Sequence, residues 1–359
     1  MKEGWSKSRI IDITRKMFAG GDVPKQAFSK CKTDVYTIPI YANGAENDGL
    51  YGYTNEAKVS EPAVTISGRG TIGYVSKRRT PFCPVVRLIT LIPNEDIISL
   101  DYLYYALYAL DYSHSGSSIP QLTVPMVKEI EVSYPCLCEQ KRIVERLDAA
   151  FENIDKLKAN AEKQLAEAQT LFQKSLAKAM EPKEGWEEMK LGEFAFMKAG
   201  DFIKASDIHE EFSEGLYPCY GGNGLRGYVK EPNQEGDYCL IGRQGALCGC
   251  INRASGVFRT TEHAVIVKPY KEIPTSLVYY LLTQLNLNKY ATGAAQPGLS
   301  VNNIAEVVRI SIPPAKDYQR IAERLDSLSE NVRKYEEIQR QIISECDALK
   351  QALLRKVFE

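Results

Sequence analysis

Arg142-Ile143-Val144-Glu145-Arg146-Leu147-Asp148 and Arg320-Ile321-Ala322-Glu323-Arg324-Leu325-Asp326 are two copies of one heptapeptide, 178 residues apart in a chain of 359. Each opens about five heptads without proline or glycine, with Glu, Lys and Gln between apolar positions. That pattern predicts coiled-coil helices. In the first stretch the predicted core lines are Ile143, Ala150, Leu157, Gln164, Leu171 and Leu147, Ile154, Ala161, Ala168, Ser175. In the second they are Ile321, Leu328, Tyr335, Ile342, Leu349 and Leu325, Val332, Gln339, Cys346, Leu353. The smaller side chains of the first line suit the bulkier face of the second. Pairing is therefore expected within the chain, through Ile143, Leu147, Ile154 and Leu157 against Ile321, Leu325, Leu328, Val332 and Tyr335. Each helix would be roughly 60 Å long at ~1.5 Å per residue.

The heptapeptide belongs to a longer duplication. Lys2-Glu3-Gly4-Trp5 returns as Lys183-Glu184-Gly185-Trp186, and Asp22-x-x-Lys25 as Asp201-x-x-Lys204. Tyr41-Ala42-Asn43-Gly44 is answered by Tyr220-Gly221-Gly222-Asn223-Gly224, and Gly68-Arg69-Gly70 by Gly242-Arg243-Gln244-Gly245. Tyr102 to Tyr105 is matched by Leu277 to Leu281, and Gln121 by Gln296. Order is kept throughout, so the chain reads as one unit, a globular part followed by a helix, used twice.

Short β-rich runs ahead of glycine (Ala63 to Ile66, Tyr238 to Ile241) predict strands. Leu100 to Leu110 and Thr275 to Leu285 have helical apolar spacing, and Tyr217 to Gly227 reads as glycine-rich turns. The expected fold is mixed α/β (α+β): two similar globular domains and two long helices in an antiparallel intramolecular coiled coil, related by a pseudo-twofold axis. The expected boundaries are 1–138, 139–180, 181–316 and 317–359.

Hydrophobic residues make up 44% and charged residues 25%, with a formal net charge of −1. These values describe an ordinary globular chain and remove any argument from overall basicity. No run of 18 apolar residues predicts a membrane span, and no signal-peptide core stands at the N-terminus. Cytoplasm is the expected compartment. Nine scattered cysteines and three histidines lack zinc spacing and read as reduced thiols.

Gly68-Arg69-Gly70-Thr71-Ile72-Gly73 fits G-x-G-x-x-G. The residues after it, Tyr74 to Pro81, do not read as a helix, so no helix N-terminus would face a pyrophosphate. The better reading is a tight turn presenting a guanidinium, Arg69 in one half and Arg243 in the other, suited to phosphate or a guanine edge. Other basic residues lie among turns and tyrosines. Lys25, Lys32, Lys77, Arg78 and Arg79 in the first half, and Lys204, Arg226, Arg253 and Arg259 in the second, join those two arginines as candidate DNA contacts. No catalytic or metal motif is found, and no cofactor is expected.

The chain resembles, nearly end to end, the specificity subunit of type I restriction–modification systems. The globular-plus-helix plan, the Gly-Trp openings and the Tyr-x-Asn-Gly loops carry the resemblance. So do Ile119-Pro120-Gln121-Leu122-Thr123 and Glu139-Gln140-Lys141-Arg142-Ile143-Val144. In the second half Gln296-Pro297-Gly298-Leu299-Ser300 and Asp317-Tyr318-Gln319-Arg320-Ile321 depart from these forms. The resemblance implies a non-catalytic DNA-recognition subunit with two target-recognition domains, each reading half of a bipartite double-stranded DNA site. The helices would act as a ruler and as docking surface for two methyltransferase subunits, which methylate adenine, with restriction subunits joining the assembly. The alternative from another class is a coiled-coil scaffold whose globular parts bind something other than DNA.

Overall fold

The computed structural model describes residues 4–110, 112, 121–245, 247–293 and 297–358. Ile119, Pro120, Gln296 and the Lys2-Glu3 pair, all used in the sequence reading, lie outside the described residues. The chain divides into two compact units, Met1–Glu162 with Gln341–Glu359, and Lys163–Arg340.

In the first unit, strands Thr14–Ala19, Ile89–Pro93, Ala63–Ile66 and Val75–Arg78 form an antiparallel sheet in that order. All four residues of Ala63–Ile66 are buried. The absence of alternation marks a strand covered on both faces. On one side lies helix Leu100–Tyr108, whose Leu100, Leu103 and Leu107 are buried at helical spacing. The Ser99 side chain caps it by accepting from the Tyr102 amide (3.3 Å). Val144 and Leu147 of the long helix Leu137–Ala179 close the same core, together with Leu354 of the other long helix. A second sheet joins Leu50–Thr54, Ile38–Tyr41 and Cys83–Pro84, the last pair parallel. A two-stranded ladder, Ser6–Arg9 with Glu131–Tyr134, links the start of the chain to the strand before the long helix.

The second unit repeats this plan. Ala195–Ala199, Ala264–Pro269, Tyr238–Gly242 and Ile251–Ala254 make the four-stranded antiparallel sheet. Gly224–Val229, Tyr217–Gly221 and Val257–Thr260 make the second, extended by Gln234–Glu235. Glu187–Lys190 pairs with Arg309–Ile312. Helix Thr275–Gln284 covers the sheet, and Ala322 and Leu325 of helix Tyr318–Phe358 close the core with Leu176 and Met180. The segment 217–227, read as turns from its glycines, is a β-hairpin with only its tip at Gly222-Asn223. Its strands gain from neighbouring pairing what glycine content takes away.

Within each unit the long-helix segments pair. In the first, Lys158 reaches Asp347 (2.7 Å) and Lys350 reaches Asp155 (2.5 Å), so numbering rises on one helix as it falls on the other. In the second, Tyr335 Oη meets Gln164 Oε1 (2.9 Å), while Leu176 shares a core with Leu325. Such half-exposed ion pairs contribute about 0–1 kcal/mol each. A buried Leu or Ile contributes about 1.5–3 kcal/mol, so the apolar seam holds the helices and the ion pairs set direction.

One predicted line of each seam is buried and the other is displaced. Leu147, Ile154 and Ala161 are buried, as are Leu325, Gln339 and Cys346. The companion line straddles the predicted positions and those one residue later, with Ile143, Ala150, Gln164, Ile321, Leu328 and Ile342 half-buried. It uses Val144, Phe151, Lys158, Leu165 and Phe172 on the first helix, and Ala322, Ser329, Glu336, Ile343 and Lys350 on the second. Leu157 is 50% exposed, Leu171 62% and Leu349 48%, and Tyr335 is exposed as well. The prediction followed the most apolar residue types. Both arrangements alternate steps of three and four; the packing differs in which side of the shared line lies deeper, and the stems of Lys158 and Lys350 serve as apolar filler there.

Candidate nucleic-acid interface

The heptapeptide aspartates tie each globular part to its long helix. Tyr105 Oη donates to Asp148 Oδ1 (2.5 Å), and Tyr280 Oη donates to Asp326 Oδ1 (2.9 Å). Burial, reinforced by the neighbouring carboxylate, pushes both phenols above their usual range. A cation lies over each tyrosine pair. Lys77 sits 4.7 Å from the Tyr104 ring, and Arg253 4.4 Å from the Tyr279 ring. Lys77 and Arg253 occupy equivalent sheet positions, opposite Val64 and Cys239.

This placement pairs three of the candidate cations with carboxylates. Lys77 is paired with Asp101 (2.9 Å), and Arg253 with Asp326 (3.3 Å). Arg78 is only 4% exposed; it is ion-paired with Asp48, donates to Thr65 Oγ1 and lies 3.6 Å from the Tyr41 ring centre. Arg78 is buried and paired, Lys77 is half-buried and Arg253 is exposed but paired, which composition could not reveal. Burial acts to raise the Asp101 carboxyl, but hydrogen bonds from Lys77 and Arg79 outweigh it and hold the group below its ordinary value.

The remaining candidates are exposed or lie at loops. In the first unit Lys25, Lys32 and Arg69 are exposed; Arg79, also exposed, touches Asp101. Arg69 stands on a turn whose Gly70 has φ +68° and donates to Gln121 Oε1 (3.2 Å). The turn is locked to its surroundings. The Gly68 amide donates to Asn43 Oδ1 (2.8 Å) and the Leu122 amide to the Gly68 carbonyl (2.9 Å). Asn43 also donates to the Val86 carbonyl (2.5 Å). Val86 and Arg87, both exposed, are left-handed at φ 52° and 61°, an uncommon conformation for a β-branched residue.

The second unit builds the same corner. The Leu299 amide donates to the Arg243 carbonyl (2.8 Å), and the Gly245 amide, at φ +87°, to the Pro297 carbonyl (2.9 Å). Arg243 is half-buried, its Nε donating to the Leu299 carbonyl (3.3 Å). A Cβ at Gly242 would lie 2.0 Å from the Gly222 carbonyl, so only glycine lets this loop touch the hairpin tip. Arg226, Gln244, Asn223 and His263 border a cavity of about 410 Å³ at that tip. Lys204 and Arg259 border another, of about 570 Å³. Phe202 and Val86, also at loops, were missed by the sequence reading, because exposure of an apolar side chain and turn geometry leave no mark on residue type.

Among the described residues no His/Cys/Asp/Glu group could hold a metal ion, and no helix is long and apolar enough to cross a membrane. Burial pushes the Cys239 thiol up to about 12.

A family model described as the type I restriction modification DNA specificity domain matches residues 2–167 and again 183–342. The specificity subunit of the type I restriction enzyme EcoprrI of Escherichia coli is 33% identical over 284 residues, covering 74% of this chain and 71% of that protein. That of MjaIX from Methanocaldococcus jannaschii is 27% identical over 244 residues, 58% of this chain and 55% of the other. A chain solved in work on complex assembly and conformational transition of the type I R-M system superposes with TM-score 0.81 at 18% identity, covering all of this chain and 98% of that one. The HsdS subunit from Thermoanaerobacter tengcongensis superposes with TM-score 0.57 at 17% identity, covering 100% and 97%. At these identities the superpositions carry the fold alone.

Proposed function

The chain belongs to the type I restriction modification DNA specificity family, as a non-catalytic specificity subunit with two matched domains, and on that premise we propose that each globular part reads one half of a bipartite double-stranded DNA site. The recognition domains are residues 1–138 and 181–316. The helical regions 139–180 and 317–359 pair antiparallel along their length and fix the spacing between half-sites. Two methyltransferase subunits dock on the helices, restriction subunits join them, and those partners carry the adenine methylation and cleavage.

The observation that supports this most is the corner built twice. In each unit a glycine-braced arginine loop, holding Arg69 or Arg243, is hydrogen-bonded to a short segment after the covering helix. Arginine on a rigid turn suits phosphate or a guanine edge. Lys25, Lys32 and Arg79 on one side, and Lys204, Arg226 and Arg259 on the other, supply backbone contacts that fix register. The exposed apolar side chains on the helix shafts, Leu157, Leu171, Tyr335, Ile338 and Leu349, suit protein docking better than solvent.

The test is single-molecule methylome sequencing of cells carrying this gene and a neighbouring methyltransferase gene, with and without this gene. Loss of one bipartite adenine-methylated motif on deletion is the expected result. An unchanged methylome, with the methyltransferase active and co-purifying with the chain, would sink the reading.

A further inference from the structure

The two units differ where strand Cys83–Pro84 in one corresponds to the end of strand Val257–Thr260 in the other. Cys83 stands parallel to Ile40, as Arg259 stands to Cys219. In the first unit this spot is closed by an apolar cluster of Ile40, Cys83 and Val85, with Val23 and Phe28 against it. In the second unit Arg259 replaces the thiol, Phe202 stands 70% exposed, and a cavity of about 570 Å³ opens between them. That volume lies in the ~300–1,000 Å³ range of small-molecule sites.

The cavity's chemistry is specific. Arg259 donates from its terminal nitrogens to the Glu231 carbonyl (3.1 Å) and the Phe202 carbonyl (3.5 Å), while its buried Nε has no acceptor. A buried donor left unpaired is costly, and a ligand acceptor that displaces the atoms covering it from the cavity side would relieve it. Lys204 and Lys230 line the same wall, with Asp207 and Glu231 partly balancing them. An exposed aromatic ring beside an unpaired guanidinium N–H and two lysines calls for a flat ring that carries both an acceptor and an anionic group.

We propose that this cavity binds one nucleotide: the base stacks on Phe202, an oxygen or ring nitrogen of the ligand accepts from Arg259 Nε, and Lys204 and Lys230 hold the phosphate. Two sources supply that chemistry, an unstacked nucleotide of bound DNA and a free nucleotide. The DNA source rests on the half-site reading above; the free source does not. Unstacking is unfavourable, and stacking on an aromatic side chain offsets it.

Two measurements on the full chain decide it. In the first, each of the four nucleoside 5′-monophosphates is titrated into wild type, Phe202→Ala and Arg259→Lys by calorimetry. In the second, duplexes bearing the motif found by methylome mapping carry 2-aminopurine at each half-site position in turn. If the ligand is part of DNA, one position in one half-site changes fluorescence on binding. Phe202→Ala then abolishes that change and weakens binding ~10-fold, and the other half-site is unaffected. If the ligand is free, a monophosphate binds wild type, both variants lose it, and no base unstacks. The proposal is overturned if no monophosphate binds and every position stays stacked on a duplex that wild type recognises. Should methylome mapping yield no motif, the half-site reading has failed, and the nucleotide titration alone decides the cavity. Phe202 is exposed, so its truncation leaves the fold intact, and Arg259→Lys keeps the charge while deleting the guanidinium, its Nε donor and its bonds to the Glu231 and Phe202 carbonyls together.

Discussion

The two units share a frame and differ at their loops. Both tie a tyrosine to the last residue of the repeated heptapeptide, Tyr105 to Asp148 and Tyr280 to Asp326. Both set a cation over a tyrosine pair. At the entry to the long helix they diverge. Gln140, fully buried, accepts from the Ser99 amide (2.9 Å) and donates to the carbonyls of Ile97 (2.9 Å) and Pro135 (3.0 Å). Its counterpart Tyr318 packs into the apolar core instead. A polar clamp and an aromatic plug do the same mechanical work. The requirement is therefore a filled, satisfied joint rather than one residue type.

Changing the plug is expected to have the largest effect. Tyr318→Ala should destabilise the second unit by about 3–5 kcal/mol, seen as a lower denaturation midpoint. An effect under 1 kcal/mol would mean the joint is not filled as described. Gln140→Ala in the first unit should cost roughly 2–3 kcal/mol, because it strands one amide and two carbonyls. Hydrogen exchange at Ser99 should then accelerate while the amides around Tyr318 stay protected. Arg69→Ala and Arg243→Ala should each weaken one half-site ~10-fold and spare the other. Equal loss at both half-sites would break the assignment of one corner to each. Lys25→Ala and Lys204→Ala should each lower the salt dependence of DNA binding by about one counterion, without changing sequence preference.

The smallest effect concerns pH. Asp101 is held below its ordinary carboxylate value by Lys77 and Arg79 against the opposing effect of burial. Its contribution to stability is thus fully present above the unfolded value of ~3.9 and is lost as pH falls through the lower folded value. The second unit carries Ser276 at this place on its covering helix. Asp101→Asn should therefore flatten the acid limb of the first unit's stability curve alone, as followed by local hydrogen exchange.

Much of the frame was legible in the sequence because it is written twice. The duplicated heptapeptide, the covering helices and the strands before glycine all stand where periodicity put them. The register of the helix seam was not, because Lys158 and Lys350 read as solvated charges and pack by their stems. Nor did residue type separate Arg78, locked on Asp48 and Tyr41, from Arg69 nine residues earlier on an open turn. Burial of a charge depends on a partner distant in sequence, here Asp48 at a left-handed position. The cavity beside Phe202 is a difference between two copies, visible only once Cys83 and Arg259 are seen to share a strand position.

The first unit is discontinuous in sequence, and its core includes Leu354. The second, Lys163–Arg340, is one uninterrupted stretch. A ribosome delivers residues in order, so the second unit has all its parts while the first still lacks the segment that seals Val144 and Leu147. During synthesis the part made later closes first, and the earlier globular part waits with an apolar helix face uncovered. Stalling or truncation near residue 340 would therefore strand the N-terminal part as a chaperone substrate, with the C-terminal part already folded.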